Sequence, residues 1–131
     1  MAATSIHHDV TFRAAPPAVY DMLLDADRFA TFTGAPASID PVEGGAFSLF
    51  DGQILGRNVE LIRGERVVQA WRVAGWAPGA YSVIRFELGP SGTGTVLGFD
   101  HTGYPTEAHD DLDAGWHAMY WEPMRSHLDG D

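Results

Sequence analysis

"GWHAMYWEPM" (residues 115–124) sets Trp116, Tyr120 and Trp121 close together and then places a proline at position 123. At about 100° per residue, Leu112, Tyr120 and Pro123 fall within roughly 40° of Trp116, and Met119 within roughly 60°. His109 and His127 share that face, while Asp111, Ala114, Ala118 and Arg125 lie opposite. The pattern predicts an amphipathic helix whose aromatic stripe faces a core. Trp121 falls off the stripe and is expected to be partly exposed, packed at the helix end against neighbouring short helices. Pro123 lacks the N–H that would reach the Met119 carbonyl and crowds that carbonyl, which costs about 3 kcal/mol in mid-helix. A bend is therefore expected there, letting the last turn, through Leu128, curl over the end of a sheet.

Working outward, "YPTEAHDDLDAGWHAMYWEPMRSHL" (104–128) reads as one long terminal helix. Thr106 is the expected N-cap, and Glu107 sits near the positive end of the helix dipole. At the other end of the chain, "SIHHDVTFRA" alternates Ile6, His8, Val10 and Phe12 against His7, Asp9, Thr11 and Arg13, a strand pattern. "APPAVYDMLLD" opens on prolines suited to a first helical turn and sets Val19, Met22 and Leu23 on one side. Asp25 is placed to cap a second short helix that Gly34 closes.

From Ala37 the chain reads as strands and turns: "ASIDP", "AFSLF", the turn "DG", "QILGRNVELI", the turn "RGE", "RVVQAWRV", a loop with Trp76, Pro78 and Gly79, "AYSVIRFEL", the loop "GPSGTG", and "TVLGFDHT". The fold class is thus α+β: one strand, two short helices, a curved antiparallel sheet of about six to seven strands in all, and a long C-terminal helix gripped by the sheet. Residues 1–131 read as a single domain. A curved sheet around one helix leaves room for a cavity between them, where a ligand is expected.

Composition narrows the chemistry. A 45% hydrophobic, 11% aromatic chain is a folded domain rather than a disordered segment. With no cysteine, disulfides, thiolate catalysis and Cys-based metal sites are excluded. All 8 cationic side chains are Arg, which removes Schiff-base lysine chemistry. A net charge of −10 argues against nucleic acid and against anionic membrane surfaces as partners. Neither a signal peptide nor an apolar run of membrane-spanning length is visible, so a cytoplasmic location is expected.

"GGAFSLFDGQILG", "VVQAWRVAGWAPGAYSVIRFEL", "HTGYP" and "GWHAMYWEP", in that order, resemble the activator-of-heat-shock-protein-90-ATPase C-terminal-domain family, part of the START-like (SRPBCC, birch-pollen-allergen-like) superfamily. The motifs span Gly44 to Met124, and Pro123 belongs to the pattern. The resemblance implies a helix-grip fold with a hydrophobic cavity. In eukaryotic co-chaperones of the family, a domain of this kind follows a separate N-terminal domain that makes much of the chaperone contact. Some START-like relatives cyclise or dehydrate polyketides.

Parity along the strands sorts candidate ligand contacts. Leu97, Phe99 and His101 share a face, as do Ile84, Phe86 and Leu88, and Val67, Gln69 and Trp71; these faces are expected to point inward. Asn58 and Glu60 are in register with Ile54 and Gly56 and are expected to join them. The expected pocket comprises Phe47, Leu49, Ile54, Gln69, Trp71, Ile84, Phe86, Phe99, His101, Trp116, Met119 and Tyr120, with Gln69 and His101 as polar anchors or as members of a hydrogen-bonded core network. The expected function is non-enzymatic binding of an apolar or amphipathic small molecule. An alternative is a chaperone-contacting module, with self-association a further option, using an exposed surface around Trp76, Trp121 and Asp110-Asp111. A second alternative is an acid–base enzyme built on His101 and Glu60, with no catalytic residues assigned in the leading reading. His109, Asp113 and His117, at i, i+4 and i+8, read as a solvated flank, since one helix rarely supplies a coordination sphere. His7 and His8 point to opposite strand faces. No metal and no cofactor are expected: HExxH, P-loop, GxGxxG and nucleophile-elbow motifs are all missing.

Overall fold

The structure is a computed structural model and describes residues 5–129. Strand β1 (Ser5–Phe12) alternates as expected, burying Ile6, Val10 and Phe12. Helix α1 (Pro16–Leu24) starts on its two prolines, where a missing N–H costs nothing, and buries Val19, Met22 and Leu23 together with Tyr20 and Leu24. In helix α2 (Ala26–Thr33), the Asp25 carboxylate accepts from the Asp27 and Arg28 N–H groups at 2.9 and 3.1 Å. Gly34, in the left-handed region at φ 75°, ends the helix.

Six further strands follow: β2 (Ser38–Ile39), β3 (Ala46–Leu49), β4 (Ile54–Ile62), β5 (Arg66–Val73), β6 (Ser82–Ser91) and β7 (Gly94–Thr102). They form one antiparallel sheet with β1, in the order β1-β7-β6-β5-β4-β3-β2. Two expectations change here. The "GPSGTG" loop is mostly strand: Ser91 pairs with Gly94, leaving Gly92 and Thr93 as a tight turn. Pro90 is tolerated because pairing of β5 to β6 ends at Glu87, so this part of β6 is an edge. In β4, Asn58 pairs with Gln69 but Glu60 pairs with Val68, so Val59 is an unpaired bulge. The extra residue reverses the parity beyond it. Glu60 therefore turns outward to Arg66 (3.0 Å) instead of joining Asn58 in the interior.

The terminal helix is not one uniform α-helix. Thr106 opens a short 3₁₀ turn (Thr106–Ala108) and caps nothing with its side chain; Pro105 holds the cap position. Helix α3 (His109–Trp116) then passes into a π-helical segment (His117–Trp121), and α4 (Glu122–Asp129) completes it. In the π segment the Glu122 N–H reaches back to the His117 carbonyl, five residues earlier. Pro123 becomes the second residue of α4, in a first turn where its absent N–H is tolerated. The wide turn also corrects the expectation for Trp121. One extra residue per turn brings both Tyr120 and Trp121 inward, so Trp121 is 0% exposed and Met119 is 48% exposed.

Trp116, Tyr120, Trp121 and Met124 form the buried face of this helix. Phe99 lies 4.2 Å from Trp116 and 5.2 Å from Trp121 between ring centroids, and Phe86 lies 6.2 Å from Trp121. Trp121 also donates to Nδ1 of His8 (3.0 Å), while Nε2 of His8 donates to Asp113 (2.7 Å). These bonds clasp the helix to β1. Among the described residues, no helix is long and apolar enough to cross a membrane.

Candidate functional site

The space between sheet and helix is largely filled by aromatic rings, and the open volume lies at one end. There, the α2–β2 loop, the β3–β4 turn, the ends of β4 and β5 and the helix face enclose a cleft of about 550 Å³, within the range that holds small ligands. Its walls are Phe50, Ile54, Trp71, Val73, Leu112, Trp116 and Tyr120, with Gly34, Ala35 and Pro36 on one side and Asp51, Gln53, Asp111 and Met119 completing the lining. Gly115 also lines it, and a Cβ built there would meet nothing within 4 Å. A glycine inside a helix costs about 0.5–1 kcal/mol relative to alanine. Here its missing side chain leaves the space open.

The β3–β4 turn is strained toward the cleft. Phe50 (φ 53°) and Asp51 (φ 56°) both occupy the left-handed region that bulky residues avoid, and Gly52 follows at φ 87°. The Asp51 N–H bond to the Pro36 carbonyl (3.0 Å) holds this geometry. So does the Phe50 ring, set edge-on to Phe29 (5.6 Å) and Tyr120 (5.8 Å). Strain of this kind is found at ligand clamps and switch regions.

Of the expected pocket residues, Ile54, Trp71, Trp116, Met119 and Tyr120 border the cleft. Phe47, Leu49, Gln69 and Phe86 instead surround a separate void of about 10 Å³, no larger than a water molecule. Ile84, Phe99 and His101 line neither and lie in packed core. Gln69 is not an anchor in the cleft: its amide donates to Asn58 Oδ1 (3.0 Å), and the Asn58 amide donates to the Asp40 carbonyl (2.9 Å).

His101 takes the second of its two expected tasks, membership of a hydrogen-bonded core network, and is not an anchor in the cleft. The Trp116 indole N–H donates to its Nδ1 (3.1 Å), so its proton sits on Nε2 and is given to Ser82 Oγ (2.7 Å). Ser82 in turn donates to the Trp71 carbonyl (2.8 Å). This chain fixes Trp116 and the Trp71 backbone, two walls of the cleft, through a fully buried neutral imidazole whose pKa burial pushes down to about 3. With both nitrogens occupied, His101 has no free lone pair to activate Ser82. Glu60 is exposed on the other side of the bulge, so the acid–base pair drawn from strand parity does not assemble.

The helical His and Asp residues also separate. His109 bonds the Tyr104 hydroxyl, Asp113 bonds His8, and the His117 ring lies tilted 4.3 Å from that of His8. Among the described residues, no three His, Asp or Glu side chains are placed to share an ion.

Cleft residues absent from the expected pocket are Gly34, Ala35, Pro36, Phe50, Asp51, Gln53, Val73, Asp111, Leu112 and Gly115. Gly115 inside an otherwise helical run was a signal available in the sequence.

A profile of the family described as "Activator of Hsp90 ATPase homolog 1-like protein" matches residues 13–129. Among curated proteins, the Dictyostelium discoideum "Activator of 90 kDa heat shock protein ATPase homolog" is 30% identical over 106 residues, covering 80% of this chain and 28% of that protein. The chain spans about a third of the length of the curated relatives it matches. Among solved structures, an HSP90 activator from Plasmodium falciparum superposes with a TM-score of 0.87 at 23% identity, covering 92% of each chain. The Aha1 dimer from Colwellia psychrerythraea gives 0.80 at 21% identity, covering 96% of each chain.

Proposed function

The chain belongs to the activator of Hsp90 ATPase homolog 1-like family, within the START-like superfamily, and from that premise we propose that it is a non-enzymatic domain that binds a small apolar or amphipathic molecule in its end cleft. The observation that carries this reading is the cleft itself, a volume of about 550 Å³ beside a second, water-sized void of about 10 Å³. The strained Phe50-Asp51 turn and the bare Gly115 both border it. In this reading the ligand sits in an open cleft at the end of the grip, beside a centre packed with aromatic rings.

Native mass spectrometry of the purified protein, with a thermal-shift screen of lipophilic compounds, tests this. A bound mass or stabilising compounds are expected. A protein that carries nothing and gains no stability from any compound contradicts the reading.

The names of its relatives support a second reading, a module that contacts an Hsp90-type chaperone. The surface anticipated for it is only partly present: Trp121 is buried and Trp76 is half-buried against Trp71, while Asp110 and Asp111 are exposed. An Hsp90 ATPase rate unchanged at saturating concentrations of this domain rules that reading out.

A further inference from the structure

Tyr120 stands between two spaces. It borders the cleft, and it also borders the water-sized void beside Phe29, Leu49 and Gln69; no other described residue lines both. Phe50 belongs to the cleft and Phe29 to the void, and their rings meet edge-on at 5.6 Å. The Tyr120 ring lies 5.5 Å from Phe29 and 5.8 Å from Phe50. These three rings form a partition.

The partition is braced from the helix side. Trp116 lies 4.3 Å from Tyr120 and Trp121 5.9 Å, and Tyr120 is only 4% exposed. A ring packed in this way cannot swing aside without opening a gap among its neighbours. Its position is a product of the π segment, whose wide turn brings Tyr120 and Trp121 inward together. Such turns occur often at functional sites.

The two sides of the partition differ. Toward solvent, the cleft holds about 550 Å³ and has Asp51, Asp111 and Met119 exposed at its rim. Behind Tyr120 the void is about 10 Å³, and the Gln69 amide there is already committed to Asn58.

Building on the ligand-binding reading above, we propose that Tyr120 is the specificity-determining floor of the cleft. It admits compact apolar molecules that end above its ring, and it stops long alkyl chains from threading between helix and sheet. The ring sets this limit, and the hydroxyl does not.

Hexan-1-ol, decan-1-ol and the compact probe 2-acetylnaphthalene test this by NMR in the wild type, Tyr120→Phe and Tyr120→Leu. In the wild type, NOEs from bound ligand should reach the methyl groups of Val73, Leu112 and Met119, and none should reach Leu49. In Tyr120→Leu, the terminal methyl of decanol should show NOEs to Leu49. The decanol-to-hexanol affinity ratio should also be about tenfold larger there, since each methylene taken out of water is worth about a factor of four. Tyr120→Phe should keep the wild-type ratio. Binding of 2-acetylnaphthalene without decanol in the wild type is the limiting form of the expected result. Should Tyr120→Leu fail to fold, the wild-type NOEs decide. NOEs from decanol to Leu49 in the wild type overturn the proposal, as does an equal affinity ratio in wild type and Tyr120→Leu; either leaves the cleft as a ligand site. Failure of all three compounds to bind the wild type removes the ligand-binding reading along with it.

Discussion

Because the Trp116 indole donates to Nδ1 of His101, the imidazole must stay neutral to keep both of its bonds. Its pKa falls from 6.5 to about 3 on folding, so below pH 6.5 the unfolded chain binds a proton that the folded one refuses. Stability from this group is fully present above pH 6.5 and is lost as pH falls toward 3, by about 1.4 kcal/mol per pH unit across most of that window. Urea unfolding of His101→Gln, whose amide can still donate to Ser82, should show a flatter decline over the same range. An undiminished slope would locate the acid sensitivity elsewhere. Gly56 is constrained by packing rather than by charge: a Cβ there would overlap the Ala70 carbonyl oxygen and the Phe47 ring. Gly56→Ala should therefore destabilise by about 1–3 kcal/mol in the same assay. A neutral result would mean that β4 and β5 shift apart easily.

Elements whose limits are set by local chemistry were legible in the sequence, and those set by a distant partner were not. Pro16-Pro17, Asp25 and Gly34 act on their own neighbours, and α1 and α2 begin and end where these residues require. The alternation in β1 likewise needs no knowledge of its partner strand. By contrast, the bulge at Val59 exists only in the pairing of β4 with β5, and it turned Glu60 away from the interior. The π segment is the same kind of feature. Pro123 announced a disturbance, but its form depends on burying Trp116, Tyr120 and Trp121 together against the sheet. The cleft was misplaced for a related reason, since strand parity reports which side chains face inward and not whether other side chains already fill that space. If the π turn does relieve Pro123, then Pro123→Ala should change stability by less than about 1 kcal/mol, measured by chemical unfolding, instead of the 3 kcal/mol gained by removing a mid-helix proline. Near the end of β5, Arg72 is 8% exposed and donates to four carbonyls of the β5–β6 loop, those of Ala74, Trp76, Ala77 and Ala80. Arg72→Lys cannot reproduce that fork. It should speed proteolytic cleavage within residues 74–81; an unchanged cleavage rate would show the loop to be held by other contacts.

At the scale of the molecule, one sheet grips one helix through a dense aromatic core, and the volume left over is concentrated at one end. The family relation accounts for the architecture, and a helix glycine and a strained turn of this chain border the opening. The chain's net charge of −10 and the acidic side chains at the cleft would disfavour an anion placed there. Gly115 allows the central claim to be tested without disturbing the core, because it lines the cleft and a Cβ there meets nothing within 4 Å. Gly115→Ala should stabilise the free protein by about 0.5–1 kcal/mol, whereas Gly115→Phe should fill the cleft. The most direct measurement is the thermal midpoint of the wild-type protein and of Gly115→Phe, each with and without saturating 2-acetylnaphthalene. The account predicts a rise of several degrees for the wild type and none for the variant; an equal rise in both, or no rise in the wild type, would contradict it.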